Sequence, residues 1–229
     1  VFEVLANGGY ATVQLLAGGL GGPHDVAVDA SGNIFVADSA HGAVKKIPAG
    51  GGSAVTLSSA FNYPRGIAID ANGNLFVADT NNHAVKEMLA PDYTTVNTLN
   101  DGFSYPYDVA VDANGNVFVA DGGSDTVSEL VASESYATIH VLGGTHGFGF
   151  PSGIAVDAND NVFVADGGNN NVAELNAADD YSTVAVVASG LNNPARVAVA
   201  ADGNVYVADY GNHVIKEIIL DGVFYNGFE

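Results

Sequence analysis

With 229 residues, 48% of them hydrophobic, the chain holds enough apolar material for one large all-β domain or two small ones. Six Lys plus Arg against 26 Asp plus Glu leave a net charge of −20, which excludes a phosphate-dominated grip on nucleic acid or on an anionic membrane. The absence of cysteine excludes a disulfide framework and thiolate metal sites, and no apolar run approaches the roughly 20 residues of a membrane span.

Residues 1–5 and 10–16 read V-F-E-V-L and Y-A-T-V-Q-L-L, the tail of a unit that recurs as V-S-E-L-V with Y-A-T-I at 127–139 and as V-A-E-L-N with Y-S-T-V at 172–184. Five full units then begin at Pro23, Pro64, Pro106, Pro151 and Pro194, at intervals of 41, 42, 45 and 43 residues. A period of this length signals stacked supersecondary units. The second unit shows the plan: strand-like runs at 66–70 and 75–79 are joined by Ala-Asn-Gly-Asn, and a third run follows at 84–89. Three consecutive apolar residues, Ile67, Ala68 and Ile69, suit an inner strand covered on both faces. The Asn72-Gly73 pair is expected to supply the positive φ angles of a tight hairpin. Weaker fourth strands are expected at 54–57, 94–99, 137–142 and 182–187, each leading through a loop rich in Gly, Asn and Phe to the next proline. Four strands per unit describe a propeller blade.

No segment carries helical periodicity and no linker divides the chain, so residues 1–229 read as a single domain. The pattern P-x-x-(I/V)-A-(V/I)-D-x-x-G-N-(V/I/L)-(F/Y)-V-A-D, followed by a (V/I)-(K/S/A)-(K/E) strand, resembles the NHL repeat and covers nearly the whole chain. Departures are Ala200 for the first aspartate of the fifth unit, Asp160 for the turn glycine of the fourth, and Gly122-Gly123-Ser124 for the Asn-rich loop of the third. The resemblance implies an all-β, single β-propeller of four-stranded antiparallel blades. Five blades are expected, with six as the alternative. The ring would close by pairing of the N- and C-terminal strands: residues 12–16 complete the fifth blade and residues 1–5 are left as a surplus strand. An unpaired strand exposes N–H and C=O groups to another molecule's edge, so a homo-oligomer or filament through the terminal strands is a further expectation. The acidic, Asn/Asp/Gly-rich composition, a first residue that is Val, and a C-terminal N-G-F-E resembling short endings of exported bacterial proteins point to an extracellular or periplasmic address. Adaptation to high salt would explain the acidity equally.

The D-A-N-G-N loops superficially resemble calcium loops, but glycine is fourth and a strand follows at once, where an EF-hand needs glycine sixth and glutamate twelfth. They read as turns. Asp38, Asp79, Asp121, Asp166 and Asp209 end the second strand of every unit, so they read as architecture, accepting N–H bonds from the following loop. Phe35, Phe76, Phe118, Phe163 and Tyr206 recur at one strand position and read as packing between blades. Tyr10, Tyr93, Tyr136 and Tyr181 open the outer strands, each with its hydroxyl expected in water.

Chemistry is sought where the repeats disagree. Loops leading into strand one and out of strand two share a face, and there the units differ: His24-Asp25, Arg65-Gly66, Tyr107-Asp108, Ser152-Gly153 and Ala195-Arg196 follow the prolines. P-H-D at 23–25 resembles the motif with which NHL-type amidating lyases supply a zinc-binding histidine. The equivalent positions, Arg65, Tyr107, Ser152 and Ala195, hold no histidine, and His41, His83 and His213 lie farther out, so no zinc triad assembles from equivalent loops. No nucleophile elbow or phosphate-binding loop is present either. The reading is therefore a non-enzymatic binding or self-assembly module without a cofactor, calcium and zinc being the alternatives weighed. A protein or glycan ligand would sit on His24, Asp25, Arg65, Tyr107, Asp108, Ser152 and Arg196. Tyr63, Tyr105 and Phe150 cluster near the prolines on the same face. A channel-mouth lyase or hydrolase using His24, Asp25, Arg65, Tyr107 and Arg196 is one alternative, and a sugar-binding lectin using Tyr107 is the other.

Overall fold

A computed structural model describes residues 1–5 and 12–220. The five units fold as five blades, each an antiparallel meander with its first strand innermost. Blade one consists of Pro23–Val28, Ile34–Asp38, Ala43–Ile47 and Val55–Ser58. Blades two, three and four repeat the order from Pro64–Ile69, Pro106–Val111 and Pro151–Val156. Blade five has three strands among the described residues, Pro194–Val199, Val205–Asp209 and Val214–Ile218.

The turn between the first two strands is built around its leading aspartate. In blade two Asp70 Oδ1 accepts the N–H groups of Asn72 and Asn74 at 2.9 and 2.8 Å. Asn74 Oδ1 in turn accepts Ala90 N–H at 3.0 Å, tying the turn to the end of the third strand. The same construction recurs at Asp29, Asp112 and Asp157. Only Gly73 has positive φ, at +87°, and Asn72 does not, contrary to the expected pair. An aspartate-held loop needs one left-handed residue, where a two-residue hairpin needs two. In blade five, where Ala200 stands in place of aspartate, Asp202 Oδ1 takes the N–H of Asn204 instead.

The aspartates ending the second strands are architectural, but their backbone partners lie mostly in the preceding loop. Asp38, Asp79, Asp166 and Asp209 accept N–H bonds from Gly21, Asn62, Gly149 and Asn192, each 17 residues upstream. In blades one, two and five a lysine of the third strand adds its charge: Lys45, Lys86 and Lys216 lie 2.5, 2.6 and 2.7 Å from Asp38, Asp79 and Asp209.

The core is divided into layers between blades. One layer joins Phe35, Val44 and Ala27 of blade one to Ile67, Leu75, Val77 and Met88 of blade two. Equivalent layers follow between two and three, three and four, and four and five. Tyr93 and Tyr181 are buried in these layers, edge-on to Phe35 and Phe118 at 5.4 Å, and the Tyr136 hydroxyl donates to the Gly115 carbonyl at 3.1 Å. The rings of Tyr93 and Tyr181 thus bridge to the blade before, and for Tyr136 the expectation of a hydroxyl in water gives way to a bond within its own blade. Tyr10 lies outside the described residues.

Inner strands pack side by side from the first blade to the fifth, with no comparable packing of the fifth on the first among the described residues. Two faces stay unmated among the described residues. On blade five Ile215 is 70% exposed, whereas its counterparts Val44, Val85, Val127 and Val172 are fully buried. Tyr206 is exposed where four phenylalanines are buried, and on blade one Val26 and Val28 face out where Ile67 and Val109 are covered. Closure by terminal pairing does not occur among these residues. Thr12–Leu15 pairs with Phe2–Leu5 and leaves Val214–Ile218 bonded to Val205–Asp209 alone. The N-terminal hairpin lies against blade one, where Val1, Ala17 and Leu20 pack on Val36 and Ile47. Residues 223–228, the competing tail strand, lie outside the described residues.

Candidate functional site

The inner strands converge on a neck set by the second residue after each opening proline, which reads Asp25, Gly66, Asp108, Gly153, Arg196 around the blades. The glycines are steric requirements. A Cβ on Gly66 would lie 2.5 Å from Asp108 Cα, and one on Gly153 would lie 2.7 Å from Arg196 Cα. The aspartates bridge the intervening junctions, Asp25 Oδ2 accepting Ile67 N–H and Asp108 Oδ2 accepting Ile154 N–H, both at 3.0 Å. Arg196 Nη1 donates to the Ser152 carbonyl and lies 3.5 Å from Asp108 Oδ2.

The Asp25 and Asp108 carboxyls also lie close enough to act on each other's titration. Burial pushes the Asp108 carboxyl up to about 7, with Arg196 pulling it down and Asp25 adding to the rise. Burial raises Asp25 as well, against the pull of Arg196. Two such carboxyls hold one proton between them near neutral pH. They line a central channel of about 510 Å³, together with Ile67, Ile154, Val197 and Arg196, which extends to Tyr206 and Ile215 on the unmated face.

Above the neck, the first residue after each proline forms the mouth. The Arg65 guanidinium lies 4.1 Å from the Tyr107 ring centroid and 5.2 Å from that of Tyr63. His24 meets Tyr63 at 5.5 Å between ring centroids, tilted, and Tyr107 meets Phe150 edge-on at 4.8 Å, so the rim is a run of angled rings around one cation. Tyr63 and Phe150 hold left-handed φ of +57° and +55°, a conformation that is strained for a large side chain. Burial, then Arg65, then Arg196 depress the His24 imidazole, which keeps it neutral at pH 7.

Six of the seven expected site residues thus gather at one end of the channel. Ser152 does not join them. Its hydroxyl is buried and donates to the Pro194 carbonyl at 2.8 Å, as Thr80 does to that of Pro106. Of the outlying histidines, His41 is bonded to Asp38 and His83 to the Ser104 carbonyl. Among the described residues no three His, Cys, Asp or Glu side chains converge as a metal site, and no helix is long and apolar enough to cross a membrane. Sequence reasoning took the seven as a variable surface and missed the neck. Its signal was the alternation of Asp with Gly at one position of consecutive repeats.

Consecutive four-stranded meanders around a shared channel define a five-bladed β-propeller. The NHL repeat model matches residues 20–47, 61–87, 148–175 and 191–217, and the chain belongs to the NHL-repeat family. No curated protein matches it in sequence. Among solved structures, a chain of the nidogen–laminin complex superposes with a TM-score of 0.76 at 21% identity, over 85% of this chain and 74% of that one. A streptogramin B lyase superposes at 0.69 and 12% identity, over 86% of this chain and 68% of that one. The inactive H270A virginiamycin B lyase from Staphylococcus aureus with quinupristin superposes at 0.69 and 14%, over 92% and 74%. At these identities the likeness is one of fold.

Proposed function

We propose that the protein is a non-enzymatic binding module whose ligand sits on the channel mouth. The observation that carries this reading is the convergence of the chain's only two arginines, Arg65 and Arg196, with Tyr63, Tyr107 and His24 at one end of the propeller. Three of the four lysines are engaged by buried aspartates, so the mouth concentrates positive charge in a chain of net charge −20. Variable loops on a repeated scaffold are where a propeller carries recognition. The superposed chain from the nidogen–laminin complex supports a protein ligand by analogy of fold alone. Protein and glycan arrays probed with wild type and Tyr107→Ala test the reading. It expects a hit that the variant loses, and hits indifferent to Tyr107→Ala and Arg196→Ala would overturn it.

A second reading, a channel-mouth lyase, is favoured by the proton-sharing Asp25–Asp108 pair beside Arg196 and by the superposed lyases. Turnover of quinupristin that disappears in Asp108→Asn would establish it. An extracellular or periplasmic address, and self-association through the terminal strands, belong to the same proposal. Exposed Phe2 and Leu15 on the N-terminal hairpin support the latter, and light scattering of Leu15→Glu against wild type tests it.

A further inference from the structure

We propose that Arg65 is the anchor for a carboxylate: the mouth takes a monoanionic ligand whose carboxylate bonds the Arg65 guanidinium and whose adjoining aromatic or aliphatic group lies on the rim of rings. The inference rests on the mouth being the binding face, and adds the chemical class of what binds there.

Among the described residues Arg65 and Lys46 are the side-chain cations without a carboxylate partner, and of the two only Arg65 lies at the mouth. Lys45, Lys86 and Lys216 pair with buried aspartates, Arg196 lies beside Asp108, and Lys46 covers the Phe35 ring. Arg65 has no carboxylate and no hydrogen bond among the described residues, and its Nε, like that of Arg196, is buried without an acceptor. In a chain with 26 Asp plus Glu, an arginine without a carboxylate partner is set apart by its surroundings. A buried donor left unpaired is unfavourable, and such groups in native structures call for a partner that completes them.

The geometry states what the partner is. Tyr63 and Tyr107 lie against the guanidinium, and the N–H groups along its edge bond to nothing else among the described residues. That edge presents parallel donors matched to the two oxygens of a planar carboxylate. His24, an imidazole that feels the Arg65 charge, is held neutral and adds no competing charge. The net charge of −20 opposes a dianion more than a monoanion, which favours a carboxylate over a phosphate. Around the anchor, Tyr63, Tyr107 and the partly exposed Phe150 offer ring faces and edges for an apolar group next to the acid.

N-acetyl-L-phenylalanine and its carboxamide are suitable probes, titrated at low salt while the backbone amides of Arg65, Gly66 and Tyr107 are followed by NMR. The acid is expected to shift these amides saturably, with the carboxamide at least about tenfold weaker, the range for a charged hydrogen bond. Arg65→Gln should abolish the preference for the acid, and Arg65→Lys should retain part of it, with melting temperatures checked to show that both fold. Equal affinity for acid and carboxamide would overturn the anchor while leaving the mouth as the binding face. A preference surviving in Arg65→Gln, tighter binding of inorganic phosphate, or no saturable shift at these amides would overturn it too. The array experiment judges the binding face separately.

Discussion

Replacing Asp108 with asparagine isolates the titration of the neck. A buried carboxyl raised to about 7 keeps, in the folded protein, a proton that the unfolded chain has already released near its ordinary value of 3.8. At this group the folded state therefore binds more protons between those values, so its contribution to stability is fully present below about pH 4, falls as pH rises towards 7, and is flat above. Integrated from pH 5 to pH 8, this one group removes on the order of 2–3 kcal/mol. Asparagine keeps one oxygen for Ile154 or Val109 and offers an amide donor to Asp25, but does not titrate. Urea unfolding at pH 5 and pH 8 should show wild type losing about 2–3 kcal/mol more than Asp108→Asn across that interval. Glu129, Asp166 and Glu174, also raised by burial, contribute the same slope to both proteins and cancel in the comparison. Identical losses in the two proteins would refute the assignment of the buried proton to this pair.

The remaining predictions concern the scaffold. Phe118→Ala should cost about 3–5 kcal/mol, as for a fully buried aromatic, while Tyr206→Ala at the same repeat position, 37% exposed and bonded to Glu217, should cost clearly less; equal shifts in urea midpoint would contradict the difference in burial. Gly73→Val should destabilise by about 1–3 kcal/mol through its φ of +87° alone, since an added Cβ meets nothing nearer than 3.5 Å. Gly73→Asn should cost clearly less in the same melting experiment, because asparagine accepts that conformation. Lys86→Met leaves Asp79 buried without its counter-charge and should cost about 3 kcal/mol; chemical denaturation showing no loss would mean that the N–H and amide donors of Asn62 and Asn82 suffice.

What the sequence revealed was what each repeat settles within itself. Strand order and the aspartate-held turns depend on residues fewer than about 20 apart, and the period of the chain exposes them by repetition. Misreadings arose wherever a partner lay in another repeat or another segment. Asp38 and its equivalents reach back to the loop before their own blade, and Tyr93 reaches Phe35 in the blade before. Pairing of the N-terminal strands was misjudged because Thr12–Leu15 has two antiparallel partners of similar pattern, and adjacency in sequence favours Phe2–Leu5. The gathering of His24, Asp25, Arg65, Tyr107, Asp108 and Arg196 was legible as a shared face, but the approach of the strands at Gly66 and Gly153 was not. That approach makes a surface of unlike residues into a neck with a shared proton.

The uncovered faces of blades one and five have a thermodynamic consequence. Among the described residues the apolar layers join each blade only to its neighbours, so in its packing the molecule behaves as a short linear array with ends rather than as a loop without them. The middle blade is secured from both sides, whereas the fifth has one full contact layer. Opening then starts at the ends and moves inward, and amide exchange should be slowest in the strands around Phe118 and fastest around Ile215. Arg196 sits on that weakest blade while Asp25 and Asp108 sit on others, so fraying of the fifth blade withdraws the guanidinium from the carboxyl pair before the remaining blades separate.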